Sequence, residues 1–129
     1  MKGYFLIFFA VLGGSAFAGC GGSAESYSAA ATRACLKEAS ATINADGWDY
    51  ISHEGSGGSY SAELGGNTVT LGFFGTSNDA KRALASYQML GGALDVPTSD
   101  VLSRRGNVTL SWDATPSSRS TSTVEGCLR

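Results

Sequence analysis

Proline, histidine, cysteine and charge are all scarce in this chain, and each scarcity closes off a class of function. Two prolines and one histidine, His53, occur in 129 residues. A single histidine leaves no multi-histidine metal centre, since a zinc site gathers three or four N, S or O ligands. Three cysteines are too few for a disulfide-dense scaffold. Charged residues are 16% of the chain and the net charge is -2, whereas disordered chains usually carry far more charge. Basic residues adjoin only as Lys81-Arg82 and Arg104-Arg105, so the concentrated positive footprint of a nucleic-acid binder is missing. No G-x-S-x-G nucleophile elbow occurs. The "GSGGS" stretch lacks the Lys-Ser/Thr that completes a phosphate-binding loop. On these grounds no catalytic residue, cofactor, metal or nucleic-acid partner is expected.

What is present begins with an apolar N-terminal stretch. Lys2 precedes "YFLIFFAVL", Tyr4 to Leu12, and the small residues of "GGSAFAG" follow. That is the layout of a secretory signal peptide. The run is too short to span a bilayer, which takes about 20 apolar residues. Two cleavage patterns overlap. Ala16-Phe17-Ala18 fits the small-x-small rule for a cut before Gly19. Phe17-Ala18-Gly19-Cys20 resembles the lipobox of bacterial lipoprotein precursors, with Phe17 where that family usually has leucine. The resemblance covers roughly the first twenty-five residues. It implies that Cys20 carries a diacylglyceryl thioether and becomes residue one, anchoring the protein to the outer side of a cell membrane. The small-x-small cut implies a secreted protein instead. The expected organisation is residues 1–19 as signal peptide, 20–27 as lipidated cysteine and flexible tether, and 28–129 as one globular domain.

Cysteine arithmetic bears on the choice. Cys20, Cys35 and Cys127 are odd in number, and thiols exported to an oxidising space tend to pair. If Cys20 is acylated as the resemblance implies, Cys35 and Cys127 are left to form one disulfide and no thiol remains over. If it is not, Cys20 stays as a free reactive thiol.

The body alternates helical and strand patterns. From Ser28 to Ala45, Ala31, Cys35, Ala39 and Ile43 recur every fourth residue with Leu36 beside them, one face of a helix. "WDYISH", 48–53, reads as a strand. "YSAEL", 60–64, and "TVTLGFF", 68–74, alternate around Gly-Gly-Asn and read as a hairpin. Thr76 and Asp79 stand at capping-box spacing. They lead into a helix through Ala80, Ala83, Leu84, Tyr87 and Leu90 that Gly91-Gly92 should end. Residues 101–104 and 107–112 read as a second hairpin, and "TPSSRSTST" as a surface loop. The expected fold is α+β: a mostly antiparallel sheet of four to five strands with two helices on one face, in the order α-β-β-β-α-β-β. "GGNTVTL" and "RGNVTL" look alike, which shared turn chemistry explains without a duplication.

Two sets of residues are functional candidates. Phe73 and Phe74 point to opposite faces of one strand, so Phe74, with Trp48 and Tyr50, forms a candidate ligand surface. His53, with Glu54 beside it and Asp49 nearby, is the set on which an envelope enzyme or metal-handling protein would be built; the nearest carboxylate pairs, Asp46/Asp49 and Asp95/Asp100, fall at element boundaries, where Asp is common as a cap or turn residue. The reading favoured is a non-enzymatic extracytoplasmic binding or structural module, held to the membrane by its N-terminal lipid and engaging a protein, peptide or glycan of the cell envelope.

Overall fold

The computed structural model describes residues 25–45 and 55–129. The signal segment, Cys20, and the stretch with Trp48, Asp49, Tyr50, His53 and Glu54 lie outside them. The order of elements is α1 (Ala29–Glu38), β1 (Thr42–Asn44), β2 (Gly58–Leu64), β3 (Asn67–Phe73), α2 (Ser77–Ala93), β4 (Leu102–Arg105), β5 (Val108–Trp112) and α3 (Ser118–Cys127). The strands form one five-stranded sheet in the order β1-β2-β3-β5-β4, antiparallel at every pairing. The α+β class is therefore observed. Because β5 lies between them and runs against both, β3 and β4 are parallel, and α2 is the crossover that such strands require.

Side-chain alternation divides the sheet into two unlike faces. The register sets Tyr60 beside Leu71 and Leu110, and Ala62 beside Val69 and Trp112. This apolar face receives Leu36 of α1 and Val124 and Cys127 of α3, forming a single core. Tyr60 stacks on Phe73 with ring centroids 5.6 Å apart, and the Arg33 guanidinium lies 4.7 Å from the Tyr60 centroid. The second face carries Ser61, Thr70, Gly72, Thr109 and Ser111 from the same strands. Helix α2 packs on β4 and β5 there, burying Ala80 outside the main core. The two helices that share a face are thus α1 and α3.

Three expectations about the elements need correction. Helix α1 stops at Glu38 rather than near Ala45. Ser40 takes a left-handed conformation (φ 66), donating its N–H to Lys37 C=O, while Ala41 N–H reaches Leu36 C=O at 2.9 Å. These are the paired bonds of a Schellman stop, and the β-branched Thr42 and Ile43 beyond it join the sheet edge instead. The buried stripe runs through Thr32 and Leu36, with Ala29 and Cys35 at its margin, so Ala31 and Ala39 face solvent. Helix α2 continues through Gly91 and Gly92 to Ala93. Gly91 is needed there for close packing, since a Cβ would collide with Thr98 Cγ2. Finally, "TPSSRSTST" contains the start of α3. Ser117 caps it, accepting a hydrogen bond from Ser120 N–H, and Ser120, Val124 and Cys127 supply a buried stripe that weak Ser/Thr propensity hides.

Two asparagines tie the ends of the domain together. At one end, Asn67 Nδ2 donates to Ala114 C=O (2.7 Å) and its Oδ1 accepts Ala114 N–H (3.2 Å). At the other, Asn107 Oδ1 accepts Tyr27 N–H (2.6 Å) and its Nδ2 donates to Tyr27 C=O (3.1 Å) and Phe74 C=O (2.9 Å). Each amide takes both polar groups of one peptide residue, as a neighbouring strand would. The two Gly-Asn pairs are not equivalent in the hairpins. Gly65-Gly66 makes the first turn and Asn67 is already in β3, whereas Gly106-Asn107 is itself the second turn.

Candidate functional site

The disulfide expected from cysteine counting is present. Cys35 of α1 and Cys127 of α3 are bonded, with Cα atoms 5.3 Å apart. The bridge crosses between the two helices over the apolar face. Beside it Ser28 N–H donates to Arg129 C=O at 2.5 Å, and Arg129 N–H to Thr32 Oγ1 at 3.3 Å. Both cysteines are structural and neither is available as a metal ligand or nucleophile.

Of the expected aromatic ligand surface, Phe74 alone lies among the described residues, and it is buried. Phe74 does point away from the main core, but it is only 7% exposed. It sits where β3 passes into α2, with its N–H donated to Asn107 C=O and its C=O taken by the Asn107 amide. The ring is therefore buried and offers little surface to a ligand. Trp48 and Tyr50, its proposed companions, lie outside the described residues, as do His53, Glu54 and Asp49. Among the described residues, no group of three His, Cys, Asp or Glu side chains could hold a metal ion. Asp95 and Asp100, a carboxylate pair by sequence, are both exposed and show no shared hydrogen bond. Asn107, which begins an Asn-Val-Thr sequon, is 4% exposed with its amide fully engaged.

The feature that stands out was not among the sequence candidates. Met89 is 76% exposed, Leu94 65%, and Leu90 and Val96 are also largely in solvent. All four gather at the C-terminal end of α2. The sequence pattern assigned Leu90 to the buried face, but the end of the helix leaves it in solvent. Ala80 is buried, Ala83, Leu84 and Tyr87 are half-buried, and from Gln88 to Leu90 every side chain is exposed. The helix then closes with Leu94 as its cap and Asp95 left-handed (φ 58). Val96 N–H donates back to Gly91 C=O at 2.8 Å, and Asp95 N–H to Gly92 C=O. This is the same stop that ends α1, with one difference. In α1 the residue after the stop, Ala41, meets the buried Leu36. In α2 the equivalent position is Gly91, which offers Val96 no side chain, and Val96 stays in solvent. Leu90 and Leu94 are one turn apart on the same side of the helix. From Ala83 to Ser103 the chain contains no Lys or Arg, and its charges are Asp95 and Asp100. The patch is therefore apolar with an acidic margin.

The opposite end of α2 is polar. Thr76 caps the helix, its hydroxyl accepting Asp79 N–H (3.1 Å) and donating to Asp79 Oδ2 (2.7 Å). That hydroxyl first, and then the adjacent Arg82 guanidinium, hold the Asp79 carboxyl below its ordinary range. Tyr60, by contrast, has its phenol pushed well above the ordinary tyrosine range by burial, with the Arg33 charge acting against the shift. The Tyr60 hydroxyl donates to Ala29 C=O at 3.2 Å.

No protein-family model, curated protein or solved structure matches this chain. Among the described residues no helix is long and apolar enough to cross a membrane.

Proposed function

We propose that this is a lipid-anchored, extracytoplasmic protein-binding domain without catalytic chemistry. Its contact surface is the patch of Met89, Leu90, Leu94 and Val96. The observation that carries the reading is the gathering of these four large apolar side chains in solvent at one end of α2. Single exposed apolar residues are ordinary, but here Leu90 and Leu94 share one side of the helix with Met89 and Val96 beside them in sequence, and exposed apolar surface with a polar rim marks an interaction site. The acidic margin argues for a protein partner whose own apolar surface is rimmed by Lys or Arg. The anchor rests on the lipobox resemblance. It is supported by the Cys35–Cys127 bridge, which leaves Cys20 as the one cysteine without a disulfide partner among the three.

The test is site-specific photo-crosslinking in the native envelope, with the crosslinker in place of Leu94. The expected result is one discrete adduct with a second protein. It should vanish when Met89, Leu90 and Val96 are changed to Ser, and should not form from position 119, on α3 across the sheet. No adduct, an adduct equally strong from position 119, or one of twice the chain's mass overturns the proposed partner.

A further inference from the structure

Sulfur is scarce in this domain, and it falls in two places. The described residues hold three sulfur atoms. Those of Cys35 and Cys127 are already oxidised, joined in the bridge. The third is the thioether of Met89, in the apolar patch; the chain's other methionine is Met1. Met89 is the most exposed of the four patch residues, at 76%. Its neighbours three and four positions away along α2 are Ala85, Ser86, Gly92 and Ala93, all small and all exposed. Residues at that spacing stand next to one another on a helix surface. None of the four is long enough to shield the sulfur from a dissolved oxidant.

We propose that Met89 is a reversible oxidation site that turns the patch from an apolar surface into a polar one. The proposal rests on the patch being a protein contact, as read above. The step is a two-electron oxidation. Hydrogen peroxide passes one oxygen atom to the thioether sulfur and leaves as water, and the side chain becomes methionine sulfoxide. A thiol-dependent reductase reverses it: two thiols are oxidised to a disulfide, and the oxygen leaves as water. Leu90, Leu94 and Val96 carry no group that peroxide attacks, so Met89 is the one member of the patch whose polarity can change after synthesis.

Oxidation at this position acts on the contact and leaves the fold alone. Met89 takes no part in the core. In the free domain the new S=O dipole stands in water and costs little. When a partner's apolar surface covers the patch, the dipole loses that water. Burying a polar group without a hydrogen-bond partner is penalised strongly enough to weaken binding by about tenfold or more. The exposure of Met89 matters for this logic: a methionine inside the core would react slowly and damage the fold when it did. The Cys35–Cys127 bridge suits a chain that works in an oxidising space, which is where an exposed thioether meets peroxide.

The test compares each protein with itself before and after hydrogen peroxide, in the native envelope, with the photo-crosslinker in place of Leu94. Peptide mass should show one oxygen gained at Met89, at close to the rate of free methionine. The partner adduct should then fall about tenfold or more. It should return when the two methionine sulfoxide reductases, one for each sulfoxide epimer, remove the oxygen. Met89→Leu has no thioether, so its adduct, at whatever level it starts, should not respond to peroxide; this separates Met89 from methionines of the partner. The Tm of the purified protein should move less than about 3 °C on oxidation. An adduct that persists with Met89 fully oxidised, an equal loss in Met89→Leu, oxidation of Met89 far slower than that of free methionine, or a larger fall in Tm overturns the inference while the contact reading stands. Absence of the adduct before any peroxide is added is the failure of the contact reading itself, and it takes this inference with it.

Discussion

Reducing the Cys35–Cys127 bridge should remove a large share of the stability of this domain. The bonded cysteines are 92 positions apart, so the bridge closes nearly the whole described chain into one loop. In the chain-entropy model a loop of that length restricts the unfolded ensemble by about 4.6 kcal/mol at 25 °C. The native state should survive reduction, because α1 and α3 remain held by Leu36 and Val124 in the core and by the Ser28–Arg129 and Arg129–Thr32 hydrogen bonds. The loss is therefore measurable as an equilibrium quantity. An unfolding entropy of about 2.1 cal/mol/K per residue over roughly 100 folded residues converts it to a fall of about 20 °C in Tm. Urea denaturation with and without a phosphine reductant, at fixed protein concentration, gives the free energy directly. The urea slope should rise slightly on reduction, because the released chain exposes more surface. A loss below about 1 kcal/mol with an unchanged slope would refute the reasoning, and would mean that the unfolded chain already holds its two ends together.

Three further outcomes follow from individual side chains. Asn107→Ala should cost about 2–4 kcal/mol in urea unfolding, since it strips the buried Phe74 carbonyl and both Tyr27 main-chain groups of their partner. Asn107→Asp should fail as well at neutral pH, because a carboxylate cannot donate to the two carbonyls, and faster hydrogen exchange at the Tyr27 amide would localise the damage. Asp95→Gly should stabilise by about 0.5–1 kcal/mol, since Asp95 holds a left-handed conformation that glycine adopts freely. A gain in Tm for glycine together with a loss for Asp95→Val is the expected pair. Asp79 has its pKa lowered in the folded state, by Thr76 and then by Arg82. Its contribution is therefore present above the unfolded carboxylate pKa and lost as pH falls below about 4. Asp79→Asn should destabilise at pH 7 and flatten the acid limb of the stability curve, and parallel curves for the two proteins would show that the helix start is not a site of proton linkage.

The parts of the fold that were legible in the sequence are those where one strong local rule acts alone. The hairpin around Gly65-Gly66 follows from strict alternation of Tyr60, Ala62 and Leu64 with Val69, Leu71 and Phe73. The start of α2 follows from Thr76 and Asp79. The disulfide follows from counting thiols. Where two rules compete, the sequence misleads. Ser40 and Asp95 end their helices in a conformation usually reserved for glycine, while the real glycines Gly91 and Gly92 are carried inside α2. A reader of propensities ends the helix at the wrong residues for a sound reason. Helix α3 was hidden because its serines and threonines are poor helix formers, and its stripe of Ser120, Val124 and Cys127 gains its value only from the sheet and the bridge. The apolar patch was invisible because periodicity assigns Leu90 to a buried face, and nothing local says that the far end of α2 is left uncovered.

The unlike faces of the sheet bear on why that patch is there. Nearly all the large buried side chains, Tyr60, Phe73, Leu71 and Leu110 among them, lie on the face shared with α1 and α3. The other face spends its inward positions on Ser61, Thr70, Gly72 and Thr109, and the Thr109 hydroxyl is buried without a hydrogen-bond partner among the described residues. A domain of this size buries a modest fraction of its surface, and one with so thin a second layer depends on a cross-link for the remainder. Such a chain would gain from any further apolar burial. A fully buried Leu or Met side chain is worth about 1.5–3 kcal/mol, and Leu90, Leu94 and Met89 are already on a helix that packs against the sheet one turn earlier. Leaving these side chains in water makes sense in energetic terms if another surface covers them, and that is the strongest physical support for a binding role.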